Sequence, residues 1–187
     1  MMKFIIYSEP VAQGRPRFTT RGGFPRAYDP PVSRDFKNYS KFVLSDTMRK
    51  HNWKMIDEAC ILSVKTYKTI PKSYSKKKTL ACQNGTLRPI TKPDLDNYIK
   101  GIKDSMKSIV WRDDSLIVGY FDCGKYYVEN FKDPRVEIIV ETLDEYFTRN
   151  NSRKKLVETI YNLSNEDFLY LSNNFDEFIS NKKEEED

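Results

Sequence analysis

Lys92-Pro93-Asp94-Leu95-Asp96-Asn97-Tyr98-Ile99-Lys100, running on to Trp111-Arg112-Asp113-Asp114, is the stretch on which the fold turns. Pro93 pushes Lys92 into extended geometry. Just beyond it, Ile99, Ile102, Met106 and Ile109 fall at i, i+3, i+7 and i+10, a spacing that predicts a helix over about residues 96–109. Asp94 and Asp96 then sit where an extended segment runs into a helix, and side chains two apart in an extended chain point the same way. Asp96, Lys100 and Asp104 follow one another at single-turn spacing and form a stripe distinct from the apolar one.

Working outward, Ala59–Ile70 alternates, with Cys60, Leu62 and Val64 on one side and Ser63, Lys65 and Tyr67 on the other, as a strand does. Leu116–Val128 and Arg135–Glu141 also read as strands, close enough in sequence to suggest a hairpin. Lys3–Ser8 predicts another strand. Residues 10–33 read as a long loop with five prolines, three glycines and the arginines Arg15, Arg17, Arg21 and Arg26. Residues 34–50 lack Pro and Gly and place Phe36, Tyr39, Val43 and Met48 near one helical face. A basic linker carries Lys72 and Lys76–Lys78. Ser152–Leu163 and Asn165–Ile179 predict two late helices, the second with a capping box from Ser164 to Asp167 and an apolar stripe of Phe168, Leu171, Phe175 and Phe178. Residues 182–187 are expected to fray. Strands and helices in mixed order point to an α+β fold.

The chain has 187 residues, enough for one domain with a short appendage. No apolar run approaches the ~18 residues of a membrane span, so no membrane partner is expected. Three widely spaced cysteines without a C-x-x-C pattern fit a reduced cytoplasmic compartment, and a zinc site lacks its ligands. His51 is the only histidine, which weighs against any mechanism built on a histidine base. Residues 1–144 hold 26 Lys+Arg against 17 Asp+Glu, a net of +9, whereas residues 145–187 hold 6 against 10, a net of −4. A basic body with an acidic extension suggests a polyanionic partner, nucleic acid first; ordinary solubility charge gives the same totals.

Clustered carboxylates repel unless a cation compensates them. Hard oxygen donors without His or Cys favour Mg²⁺, with Mn²⁺ as a substitute. Such a cation activates water and stabilises charge on a phosphodiester, and Lys100 is placed to assist at the phosphate. The same residues also read as a helix cap, an i,i+4 surface pair and a turn, and spacing alone leaves both interpretations open.

Assembled, these residues resemble the RusA family of Holliday junction resolvases, which are crossover junction endodeoxyribonucleases. That family carries an Asp-Leu-Asp-Asn run at a helix start, a lysine four residues after the second aspartate, and a later Asp-Asp followed by a strand. Here these are Asp94-Leu95-Asp96-Asn97, Lys100, and Asp113-Asp114 before Leu116-Ile117-Val118, with Asp104 matching an aspartate of the intervening helix. The spacing from Asp96 to Asp114 is one residue shorter than in the best-known member. Gly14-Arg15-Pro16-Arg17-Phe18 with Gly22-Gly23 is similar to the phage and Gram-positive branch, which implies a bacterial or phage-infected cell. The resemblance spans residues 3–141 in element order and 92–118 in motif.

The resemblance implies a RusA-like mixed sheet with flanking helices over residues 1–144, followed by a helical acidic extension over 145–187 to which it assigns no role. It makes Asp94, Asp96 and Asp114 the metal-binding and catalytic carboxylates and Lys100 the catalytic lysine, with Asp113 and Asp104 supporting from behind. It also implies a Mg²⁺-dependent homodimer that nicks two strands of a four-way DNA junction symmetrically, in DNA recombination and repair. Arg15, Arg17, Arg21, Arg26 and Lys76, Lys77, Lys78 are then expected to meet DNA phosphates, with Phe18, Phe24 and Tyr28 available for stacking. Two other classes remain open: a branched-DNA-binding module of the same fold without catalysis, and a D-x-D nucleotide-sugar transferase. The transferase is disfavoured by the basic body and the lack of a glycine-rich nucleotide-binding turn.

Overall fold

The computed structural model describes residues 1–14, 17–19, 24, 26–28, 30–129 and 132–161. The chain divides into two compact units, Met1–Leu143 and Asp144–Asp187. The first holds strands β1 (Met2–Ile6), β2 (Arg17–Thr19), β3 (Arg26–Tyr28), β4 (Cys60–Lys68), β5 (Ile117–Tyr120), β6 (Gly124–Tyr127) and β7 (Arg135–Thr142). Its helices are α1 (Pro31–Lys50), α2 (Lys76–Gln83) and α3 (Leu95–Met106), with a 3-10 turn at Asp114–Leu116. Helix α4 runs over Leu143–Tyr161.

The main sheet is mixed, in the order β1-β7-β4-β5, with β6 also pairing β4. β7 lies antiparallel between β1 and β4, and the register stacks one apolar face in rows. Val140 sits between Met2 and Leu62, Ile138 between Phe4 and Val64, and Val136 between Ile6 and Thr66. Period-two alternation puts all of these on the same side. Phe36, Leu44 and Met48 of α1 and Ile102 and Met106 of α3 complete this core, with Trp111 and Val110 wholly buried beside them. Each such side chain contributes roughly 1.5–3 kcal/mol by leaving water. The opposite face is polar: Arg135, 4% exposed, lies between Glu129 and Glu137 and over the Tyr67 ring.

The mixed α/β architecture expected from the sequence is present, but several elements differ. β7 does not form a hairpin with β5 or β6. Instead β5 and β6 each pair in parallel with β4, because α2 and α3 supply the crossover that a parallel pair requires. The single strand expected over 116–128 is broken at residues 121–123, where Asp122 takes φ 53°. Residues 10–33 are not all loop, since β2 and β3 pair antiparallel within them.

Helix α1 begins at Pro31, where a proline without an N–H costs nothing in the first turn. It buries Ser33, Phe36, Ser40, Leu44 and Met48, leaving Tyr39 exposed. The supposed basic linker contains α2, started by the Ser75 hydroxyl accepting from the Lys78 N–H. Of the late helices, α4 starts nine residues earlier than the sequence suggested. The capping box and stripe from Ser164 to Phe178 lie outside the described residues. Among the described residues no helix is long and apolar enough to cross a membrane.

Candidate active site

Helix α3 begins where Pro93 ends the incoming loop; the Lys92–Pro93 peptide bond is cis. Asp94 is the N-cap residue, with φ −73° and ψ 155°, yet its carboxylate makes no capping bond. Asp96 lies in the first helical turn, where negative charge complements the exposed N–H groups. Asp94 and Asp96 therefore do not share an extended segment as the sequence predicts, since the helix already starts at Leu95. Asp94 and Asp96 are both exposed.

Downstream, α3 turns sharply into the strand region. Ser108, at φ 64°, donates its N–H to the Trp111 carbonyl at 2.8 Å. The buried Trp111 ring then donates from Nε1 to Asp114 Oδ1 at 3.0 Å. A core residue thus holds the carboxylate of Asp114 in place.

These elements enclose an open groove of about 570 Å³ lined by Leu95, Asp96, Ile99, Lys100, Lys103, Asp104, Asp114 and Tyr120. Asp96, Lys100, Asp104 and Asp114 come together here. Asp94 and Asp113 do not line it. The Lys100 side chain makes no hydrogen bond or ion pair among the described residues, whereas Asp104 pairs with Lys37 at 3.5 Å rather than with Lys100. Asp113 is engaged elsewhere, accepting from Lys107 Nζ at 2.6 Å and from the Ser115 N–H at 3.1 Å. The Lys107 ammonium, with help from that N–H, holds the Asp113 carboxyl down at about 2. Lys107 is raised in turn, chiefly by its bond to Asp113.

Sequence spacing missed Lys103 and Tyr120. Lys103 follows Lys100 by three residues on the same helix face, and its ammonium lies over the Tyr120 ring, 5.9 Å from the centroid. Ile99, which the periodicity places on the buried stripe, is partly buried and also forms the groove wall. Among the described residues no three acidic, histidine or cysteine side chains close into a ready-made metal cage. The donor chemistry nonetheless fits a hard divalent cation, because Asp96, Asp104 and Asp114 offer carboxylate oxygens along one groove, and such cations retain several waters.

The base of the arginine-rich segment is tied to the same helix. The Gln13 N–H donates to the Asn97 carbonyl at 2.9 Å, and α3 admits this close approach through Gly101, where an added Cβ would come within 3.3 Å of Gln13 N. Ser33 Oγ bonds the Ala12 carbonyl and accepts from the Gly14 N–H, both at 3.3 Å. Arg15 and Arg21 lie outside the described residues, and Arg17 and Arg26 stand in the paired β2 and β3. Phe18 and Phe24 are about three-quarters exposed, at 75% and 74%.

His51 stacks on Trp53 at the end of α1, with ring centroids 4.5 Å apart. Cys60, Cys82 and Cys123 are free thiols, and burial pushes each upward, Cys60 to about 11.

Comparison with known proteins bears directly on this groove. The family described as endodeoxyribonuclease RusA matches residues 8–141. An uncharacterized protein of Bacillus subtilis (strain 168), YqaN, is 42% identical over 141 residues, covering 74% of this chain and 94% of that protein. The family match decides for nuclease over nucleotide-sugar transferase. Because it runs from just beyond β1 to the penultimate residue of β7 and takes in the whole of the groove, the chain belongs to the RusA family of endodeoxyribonucleases.

Proposed function

We propose that this protein is a Mg²⁺-dependent resolvase that nicks four-way DNA junctions as a homodimer, acting in recombination and repair in the cytoplasm of a bacterial or phage-infected cell. The single observation carrying this reading is the convergence of Asp96, Lys100, Asp104 and Asp114 on one groove of a chain in the RusA family. Asp96 and Asp114, with Asp94 at the helix cap, would hold the cation. Bound there, Mg²⁺ (or Mn²⁺ in its place) would supply Lewis-acid stabilisation of a phosphodiester and acidify water.

The chain's own residues do the rest. Lys100, without a carboxylate partner among the described residues, presents its ammonium to the phosphate oxygens. Trp111 fixes the orientation of Asp114, and the Lys37 ion pair orients Asp104. Lys107 engages Asp113, which supports the turn from behind. Leu95, Ile99 and Tyr120 give the groove an apolar wall suited to deoxyribose and base.

Arg15, Arg17, Arg21 and Arg26 meet the backbone of the DNA from a segment whose base is pinned against α3. Phe18, Phe24 and Tyr28 are exposed for stacking. Lys76, Lys77 and Lys78 occupy the first turn of α2, where the helix dipole disfavours cations; an incoming phosphate relieves that conflict.

The test is a labelled four-way junction incubated with Mg²⁺ and either the natural protein or Asp96→Asn. The natural protein is expected to introduce paired nicks and the variant to bind without cutting. Nicking by both refutes the site, and nicking by neither makes the protein a junction-binding module.

A further inference from the structure

Lys125 stands on β6, outside the groove, and nothing about its sequence position connects it with the acidic residues. Its ammonium donates to two backbone carbonyls of the loop that enters α3, Thr91 O at 3.0 Å and Pro93 O at 3.1 Å. Pro93 O belongs to the peptide that leads directly into Asp94. The next residue of the same strand, Tyr126, receives the Arg88 guanidinium over its ring, 4.2 Å from the centroid. Two consecutive residues of β6 therefore hold the loop over residues 88–93. That strand is itself rooted in the sheet, with Lys125 in register with the wholly buried Thr66 of β4.

This arrangement replaces the usual way of fixing a helix start. An N-cap aspartate normally spends its carboxylate on a backbone N–H of the first turn. Asp94 makes no such bond, so its carboxylate is left for a ligand while the loop is held from outside. We propose that Lys125 is a positioning residue for the acidic site, fixing the loop that delivers Asp94 and the first turn of α3. The proposal rests on the role assigned to Asp94 above.

Two explanations of Lys125 differ in sign. As a mere positive charge near the site it repels a divalent cation, and its removal tightens metal binding. As a clamp it orders the ligand, and its removal weakens metal binding; loss of an outer partner of a ligand typically lowers metal affinity 10–100-fold.

The experiment titrates the full chain with Mn²⁺ alone, reading free Mn²⁺ by electron paramagnetic resonance and the thermal midpoint in parallel. Lys125→Met is expected to weaken Mn²⁺ binding about tenfold, at the lower end of that range. Lys125→Arg, which keeps charge and donors, is expected to restore it to within about threefold. In an Asp94→Asn background Lys125→Met is expected to produce a smaller further loss, the part that acts through the first turn of α3. Lys125→Gln, which keeps one donor group, gives an intermediate loss and serves if the methionine variant does not fold. Unchanged or tighter binding in Lys125→Met or Lys125→Gln overturns the proposal, as does an undiminished loss in the Asp94→Asn background. If Asp94→Asn by itself leaves Mn²⁺ binding intact, the assignment of Asp94 falls and the role of Lys125 with it; if only the Lys125 variants are silent, the clamp alone is refuted.

Discussion

Replacing Trp111 with Phe separates the two tasks that one indole performs. Trp111 is wholly buried in the core, and its Nε1 reaches out 3.0 Å to Asp114 in the groove. Phenylalanine keeps most of the packing and removes the donor. The smaller ring gives up roughly 40 Å² of buried apolar area, about 1 kcal/mol. A hydrogen bond to a charged group adds about 1.5–3 kcal/mol, discounted to about 1–2 kcal/mol because Asp114 is only partly buried and water replaces the donor.

The sum is a loss of about 2–3 kcal/mol, or a fall in thermal midpoint of roughly 5–10 °C for a chain of this size. Guanidinium denaturation followed by circular dichroism measures it, with Trp53, the remaining tryptophan, as a second probe. The released Asp114 should also lower junction nicking by about 10–100-fold, the usual effect of removing the partner that orients a ligand, while junction affinity stays within about twofold. A stability loss below about 1 kcal/mol together with unchanged nicking would refute the idea that the core sets Asp114.

Asp113→Asn tests the Lys107 pair, since asparagine can still accept from Ser115. The folded Asp113 carboxyl lies near 2, below its ordinary value of 3.8, so its stabilisation is present above about pH 4 and disappears as pH falls through 2. The gap in thermal midpoint between natural protein and variant should close over that interval, and a pH-independent gap would contradict the pairing. Arg135→Ala removes a cation that is 5% exposed between Glu129 and Glu137, themselves 34% and 23% exposed. Breaking a buried pair costs about 3–5 kcal/mol, and solvent access to both carboxylates lowers the expectation to about 2–3 kcal/mol in urea denaturation; a loss under about 1 kcal/mol counts against it. Replacing Lys76, Lys77 and Lys78 together by Ala should flatten the dependence of log junction affinity on log salt by about 1–3 units. An unchanged slope means these lysines do not meet phosphate.

The sequence is most readable where one periodicity dominates. β4 and β7 alternate, α3 repeats its isoleucines, and Asp96, Lys100 and Asp104, expected on one stripe of the helix, all line one groove. α2 escapes because its first turn is three lysines and only Cys82 is buried, so no apolar stripe announces it; the Ser75 cap was its one available signal. The hairpin expectation fails because nearness in sequence says nothing about which edge of β4 a short strand joins. The supports of the site are least readable of all. Trp111 meeting Asp114 and Lys125 meeting Pro93 depend on elements brought together only by the sheet, and no spacing rule connects residues 93 and 125.

The position of β7 has a further consequence for how the chain comes into being. Two strands meet through it: β1 pairs with nothing else in the main sheet, and β4 has Val136, Ile138 and Val140 beside its apolar face along one edge. During synthesis from the N-terminus, the first strand must therefore wait for residues 135–142. Until then its apolar face and open edge are exposed, and contacts between such distant segments form slowly. Any fragment that stops short of β7 carries every carboxylate of the groove but lacks the strand that joins β1 to the rest of the sheet. The sheet of this nuclease is therefore completed only when almost all of its catalytic unit has been made.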